Sequence, residues 1–466
     1  MLRTPLHIAV LTTALIPFAA AAAFAPVDGL PDPSFGIGGR AYVDALSVSP
    51  EGAILERLAQ APSGVLYLGG DAAGRMVIAR LSANGVRDMN FGTFGLARDR
   101  PVNDAASLYD LEDLVVLPDG KPLAVGSASS NANVDIAICR YNVAGNLDAS
   151  FGGDGCQRIA LNLVTDGEEV ATSVTPLPDG KFILSGRLET PSFNGGQRQA
   201  FLMRLNADGT LDTSFANVGY RVLHVQNFST TASSVLRAAD GTYYLYGIFR
   251  SGGPGGQFDR FIARYSSSGA LLASFGNGGI ATSSFDDLAP APAFDLPGDV
   301  LIDSQGRIYD CGSSRSDGPL LVTVSVSRFL PNGQPDPSFG NGGRIYRTFN
   351  DLNAVSFAEG CTLQRDRLVV GLHTGGANFS FELALLRFLD DGSTDPSFGA
   401  GGGITYPIDI GGNGVGHEGA VRVVNQGEHL LVYGSASPVN ACCTPPYGYV
   451  VVRALTDAMF RNGFEN

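Results

Sequence analysis

The segment Asn146-Leu147-Asp148-Ala149-Ser150-Phe151-Gly152, preceded by Gly145, recurs along the chain and constrains its fold more than any other feature. Full copies run from Gly209 to Phe215, Gly333 to Phe339 and Gly392 to Phe398. Weaker ones run from Gly29 to Phe35, Gly85 to Phe91 and Gly269 to Phe275. The phenylalanines fall at Phe35, Phe91, Phe151, Phe215, Phe275, Phe339 and Phe398, with spacings of 56, 60, 64, 60, 64 and 59 residues. A period near sixty means stacked units that share their cores, as in a propeller or solenoid, instead of separate domains. The 61 glycines among 466 residues are about twice the usual share and follow the same period.

Each unit repeats an inner grammar. A strand-like run reaches a turn such as Pro118-Asp119-Gly120 or Pro178-Asp179-Gly180, and Asp-Gly between apolar runs marks a hairpin because tight turns need positive φ. The returning strand is expected to end on a glycine (Gly70, Gly126, Gly186, Gly247, Gly312, Gly371, Gly434). A third apolar strand ends in arginine, and a fourth follows the Ser-Phe-Gly corner. Four short strands without helical periodicity describe one propeller blade. The expectation is an all-β, seven-bladed β-propeller of four-stranded blades over residues 24–455. The chain opens on a fourth strand (Phe35 to Val43) and closes after a third (Tyr449 to Leu455). The N-terminal strand is therefore expected to complete the last blade and hide both sheet edges.

The third-strand arginines are Arg80, Arg140, Arg204, Arg264, Arg328, Arg387 and Arg453. Where the full unit follows, Phe stands eleven residues later, and an acid stands at eight (Asp88, Asp148, Asp212, Asp336, Asp395), with Leu272 the exception. Arginine and aspartate bracketing a turn suit a charge-assisted pair, with Asp and Ser capping turn amides and Phe wedged between blades. These residues read as a structural clamp repeated in every unit.

Leu-Asp-x-Ser-Phe-Gly-x-x-Gly, with Leu-Pro-Asp-Gly-Lys about thirty residues before it, resembles the delta-60 repeat of bacterial exported proteins. The resemblance covers residues 29–455 and is most specific at Asp148, Asp212, Asp336 and Asp395; around Arg87, Asn90 and Leu272 the pattern is degraded. It implies a repeat β-propeller and no particular activity. The last residues, 456–466, resemble a short Phe-x-x-Gly-Phe-Glu ending of some exported bacterial proteins.

Residues 1–23 read as a signal peptide: a basic Met1-Leu2-Arg3, an apolar run from Ile8 to Ala23 and small-residue cleavage sites. With Lys only at Lys121 and Lys181, the Arg-, Ala- and Gly-rich composition suggests a GC-rich bacterial genome. The expected location is periplasmic, outer-surface or secreted, with no transmembrane segment after cleavage. Six cysteines then read as disulfide candidates. Cys139 and Cys156 flank one hairpin, and Cys311 and Cys361 lie in neighbouring units. Cys442 and Cys443 are adjacent, and bridge each other or pair elsewhere.

A net charge of −14 disfavours phosphate backbones, so no nucleic-acid partner is expected. Trp is absent, which disfavours Trp-dependent propellers such as quinoprotein dehydrogenases, Asp-box sialidases and WD40 scaffolds, and the histidines show no metal-ligand spacing. Counting seven residues back from each hairpin turn gives Arg57, Asp113, Ser173, Ser234, Asp299, Glu359 and Ala420 as a ring at the channel mouth. Asp113, Asp299 and Glu359 are candidate oxygen ligands for Ca²⁺, and Asp286, Asp287 and Asp295 a second acidic group. No other cofactor is expected. The connections of variable length fall on one rim, where a protein or glycan partner would bind. The expected function is a monomeric, non-catalytic binding or surface-interaction module. The alternative is a divalent-cation-dependent hydrolase or lactonase at the channel mouth.

Overall fold

The computed structural model describes residues 28–44, 54–98, 108–130, 133–163, 167–190, 197–226, 228–250, 256–286, 293–316, 322–349, 355–375, 381–407, 416–427, 429–438 and 448–455. The signal-peptide segment 1–23, the ending 456–466, Cys442, Cys443, Asp287 and most of the variable rim lie outside them. The described chain is an all-β propeller. Its innermost strands are Ile54–Gln60, Leu108–Val116, Glu168–Pro176, Thr230–Arg237, Ala293–Ile302, Val355–Gln364 and Gly416–Gln426. They are neighbours in that order around the axis, and the last returns to the first.

The sequence predicts seven separate four-stranded blades, and the backbone pairing corrects that count. Five four-stranded blades stand apart, and the two repeats between Leu108 and Leu223 form one eight-stranded sheet. They join through a single parallel bridge, Glu168 to Val134. The cause is local. The short fourth strand Cys156–Ile159 covers Val134–Arg140 no further than Ile136, so the edge at Val134 is left for the next repeat. Glu169 holds the connecting chain close by accepting the amides of Leu161 (2.5 Å) and Leu163 (3.2 Å).

The closing sheet draws on both ends of the chain, with Arg40–Asp44 pairing antiparallel to Gly448–Ala454 from Arg40↔Val452 to Asp44↔Gly448. Apolar cores fill the spaces between successive sheets. One sets Leu123, Val125, Ile138 and Phe151 against Val174, Leu184, Phe201 and Met203.

The corners are the most repetitive contacts. Arg140 Nε donates to Asp148 Oδ2 (2.9 Å), the guanidinium lies 4.7 Å from the Phe151 ring centre, and Nη1 reaches the Ala207 carbonyl of the next repeat (3.2 Å). Arg204 repeats this with Asp212, Phe215 and Ser267, and Arg328 with Asp336, Phe339 and Asp390. Arg80 pairs with Asp88 over Phe91, and Arg387 with Asp395 over Phe398. Eight residues beyond Arg453 stands Arg461 instead of an acid. Arg453 takes Asp32 from the other end of the chain (Nε–Oδ2 2.8 Å), lies over Phe35 and donates to Ala83. Arg264 departs: it pairs with Asp240 and lies over Tyr244.

Each corner Phe also rests on the opening glycine of the next motif. A Cβ at Gly209 would sit 2.5 Å from the Phe151 ring, and Gly209 has φ +88°. Both conditions exclude larger side chains.

Cys139 and Cys156 face each other across one antiparallel pair and are bonded (Cα–Cα 4.1 Å). Cys311 and Cys361 are bonded between neighbouring sheets (Cα–Cα 6.4 Å). Among the described residues no helix is long and apolar enough to cross a membrane.

Candidate functional site: the central cavity

Every innermost strand carries a bulge, at Leu55/Arg57, Leu111/Asp113, Ala171/Ser173, Ala232/Ser234, Pro297/Asp299, Ala358/Gly360 and Gly419/Arg422. A bulge inserts an unpaired residue, which bends the strand and re-aims its side chains. The residue opposite the position just before the second-strand glycine is Arg57, Asp113, Ser173, Ser234, Asp299, Cys361 and Arg422 in turn. The first five are the residues the sequence count gives. The last two lie two residues further on than Glu359 and Ala420. Their hairpins are tighter: Gln364 pairs directly with Arg367 across Arg365 and Asp366, both at positive φ, and Gln426 pairs with His429. In the second repeat the equivalent pair is Val116 with Pro122. A fixed count back from the turn therefore slips.

The ring surrounds a cavity of about 490 Å³. Two of its walls differ. On one, Arg57 donates to the Glu112 carbonyl, and Arg422 Nη1 to the carbonyls of Glu359 (2.6 Å) and Gly298 (3.3 Å). Asp113 accepts the amides of Leu114 and Val174, each at 2.9 Å, and Asp299 accepts that of Val300 at 2.9 Å. Burial pushes the Asp113 carboxyl above the usual range, against the pull of Arg57 and its two amides. Asp299 is raised by burial in the same way, opposed by Arg422. Burial also lifts the Tyr433 phenol, to about 12. The other wall, from Glu168–Pro176 and Thr230–Arg237, is lined by hydroxyls including Thr172, Ser173, Thr175 and Ser234, with Arg187 and Glu112 beside them.

Of the three candidate calcium ligands, Asp113 and Asp299 line this cavity and Glu359 does not. The Glu359 carboxylate lies 3.6 Å from His373 Nδ1, and His373 stacks on Phe357. Burial holds the His373 imidazole down, to about 4. Among the described residues no group of three His, Cys, Asp or Glu is gathered as a cation cage. In the second acidic group Asp295 is buried, accepting Ser314 Oγ (2.5 Å) and the Phe285 amide (3.0 Å).

Sequence reasoning missed Arg422 and Arg187 around the cavity. It also missed a buried charge cluster: Arg260 Nε lies 3.0 Å from Asp310 Oδ1, which also accepts Tyr246 Oη at 2.8 Å. The signal was present as charged residues inside apolar third and second strands, Phe258-Asp259-Arg260-Phe261 and Ile308-Tyr309-Asp310-Cys311.

Residues 117–151 and 177–215 match a family described as "Domain of unknown function (DUF5122) beta-propeller". They hold the Pro-Asp-Gly hairpin and the Arg-Asp-Phe corner of two adjacent repeats. No curated protein matches the chain. Among solved structures, a protein of unknown function from Dyadobacter fermentans is similar at 9% identity and TM-score 0.42, covering 92% of this chain and 97% of its own. The polysaccharide lyase Uly1 is similar at 11% identity and TM-score 0.48, covering 88% and 91%. The arabinanase Arb43A of Bacillus subtilis is similar at 14% identity and TM-score 0.32, covering 60% and 91%. What the chain shares with the matched family, over two repeats, is the propeller corner and its hairpin.

Proposed function

We propose that this chain is an exported, monomeric β-propeller of the delta-60 type that binds a ligand and performs no chemistry on it. The observation that carries the reading is how the ionisable groups of the cavity are used. Asp113 gives both oxygens to backbone amides, and Arg57 and Arg422 donate to carbonyls of neighbouring inner strands. A general base or nucleophile needs a lone pair aimed at substrate. The Asp113 carboxylate is held by one amide of its own strand and one of the next, and the two arginines are held by backbone carbonyls, so the hydrogen bonding of these groups is directed at the scaffold. Export is supported by two disulfides, which persist in oxidising compartments, and by the apolar N-terminal segment of the sequence.

The test compares the protein with an Asp113→Asn/Asp299→Asn double variant on chromogenic ester, lactone and glycoside substrates, with and without Ca²⁺. Both proteins are also applied to arrays of bacterial envelope glycans and proteins. The expected result is retention on the array without turnover. Turnover that requires Ca²⁺ and is lost in the double variant overturns the reading in favour of a cation-dependent hydrolase.

A further inference from the structure

The two walls of the cavity are not equally finished. The charged wall is satisfied by its own backbone. On the hydroxyl wall the Ser234 oxygen is buried and has no hydrogen-bond partner. Nearby, Arg187 Nε is also buried without one, its nearest carboxylates being Glu189 Oε2 at 3.8 Å and, from Nη1, Glu112 Oε1 at 3.7 Å. A buried polar atom left unmade costs about 1–3 kcal/mol, so such atoms mark places where something else supplies the bond.

We infer that this wall is the binding site of a small, neutral, polyhydroxylated molecule, chemically a sugar. The inference rests on the binding-module reading and names the ligand class for it. Three features favour that class. The first is charge: Arg57, Arg187 and Arg422 face Glu112, Asp113 and Asp299, so the lining is balanced and offers no net attraction to an anion or a cation. The second is the mixture of donors and acceptors. Thr172 and Thr175 donate to the carbonyls of Ala232 (3.0 Å) and Val235 (2.6 Å). Their oxygens keep lone pairs for the cavity. Ser234 can donate and accept, Arg187 donates and Glu112 accepts. A carbon-bound hydroxyl is itself both donor and acceptor, so adjacent hydroxyls on a ring suit such a wall. The third is size: about 490 Å³ lies within the range of small-molecule sites. Tyr433 is the one aromatic residue in the lining among the described residues, so selectivity there comes from hydrogen bonds more than from stacking.

The experiment uses the full chain and isothermal titration with neutral mono- and disaccharides, each paired with its uronic-acid or phosphorylated counterpart. At least one neutral sugar is expected to bind, and its acidic counterpart to bind more weakly. Ser234→Ala and Arg187→Gln are each expected to weaken binding about tenfold, the loss of one well-made hydrogen bond. Because Ser234 Oγ makes no bond in the free protein, Ser234→Ala is expected to keep its melting temperature, which separates a lost ligand contact from a lost fold. The inference is overturned if no neutral sugar binds at up to about 10 mM. It is equally overturned if acidic sugars bind more tightly, or if both variants bind as the parent does. Retention on the envelope array with no sugar bound in the cavity sinks this inference and leaves the binding-module reading. A sugar that binds here and is turned over keeps the site and removes the non-catalytic reading.

Discussion

At the corners, Arg140, Arg204, Arg328 and Arg387 each meet a carboxylate eight residues on and lie over a phenylalanine ring. Around the cavity, the structurally equivalent positions hold Arg57, Asp113, Ser173, Ser234, Asp299, Cys361 and Arg422. The same repeat thus keeps one set of side chains at its corner and exchanges the other set freely at the axis. A corner has one task, which is to fix one repeat on the next. That calls for the same guanidinium, carboxylate, ring and glycine, a set that only the Arg264 corner, among the described ones, replaces in part. The axis is met by all repeats at once, so a shared set there would pile up like charge. Variation lets Arg57 and Arg422 balance Asp113 and Asp299.

The largest expected effect tests whether corners are equal in strength. Arg328 is fully buried and bonded to Asp336, Ser338 and Asp390. Arg328→Ala leaves buried carboxylate unpaired and is expected to cost about 3–5 kcal/mol in urea unfolding. Arg264 has Leu272 where the acid should be, and its partner Asp240 is half exposed. Arg264→Ala is expected to cost about 1 kcal/mol or less. Equal losses would show that ring packing, and not the ion pair, carries the corner.

Next in size are the disulfides. Removing Cys311–Cys361 by a double Ser substitution is expected to cost about 2–4 kcal/mol. Cys139–Cys156 closes 17 residues instead of 50, and on loop entropy its removal costs about 1 kcal/mol less. Denaturant melts of the two variants under non-reducing conditions measure the difference.

Acid should weaken the corners, where the carboxyls are held down, and not the axis, where burial pushes them up. At Asp148 burial raises the carboxyl, but Ser150, Lys121 and Arg140 outweigh it and hold it well below its ordinary value. Asp212 is lowered against burial by Lys181, Ser214 and Arg204. A carboxyl depressed in the folded state contributes stability above its unfolded value near 3.9, and loses it as pH falls through that value toward the folded one. Unfolding free energy should therefore fall below about pH 4, with a smaller slope in Asp148→Asn/Asp212→Asn. Asp295 runs the other way: burial pushes it up to about 6, so its contribution is full below about pH 4 and declines as pH rises toward 6. An unchanged slope in the double variant would remove the corners from the acid response.

The smallest effect repairs the odd corner. Leu272 already donates its amide to the Arg264 carbonyl, as Asp148 does to Arg140. Leu272→Asp is expected to add about 0.5–1 kcal/mol, read as a rise in the urea midpoint. No gain would mean that Arg264 prefers Asp240 and Tyr244 over a rebuilt pair.

The contrast also explains what the sequence made legible. Corners repeat, so the spacing of Arg140, Asp148 and Phe151 could be read along the chain, and the hairpin cysteines Cys139 and Cys156 with it. The two strands that complete one sheet from opposite ends were legible for the same reason. The axis does not repeat. Its register depends on turn length, which is why the count failed at Glu359 and Ala420, where two residues turn the chain instead of five. The bridge between Glu168 and Val134 depends on how far a four-residue strand reaches, which no motif records. Asp310 and Arg260 look like interruptions of apolar strands until their mutual contact is seen.

Arg453 meets Asp32, Ser34 and Phe35 with the distances that other arginines make within one stretch of chain. The corner at the seam is built like those within one stretch of chain, so circular permutants opened at Ala207-Asp208, with residues 455 and 28 linked, would present the same described surfaces in a different genetic order. The seam is a property of the gene, and the corners make the protein indifferent to it.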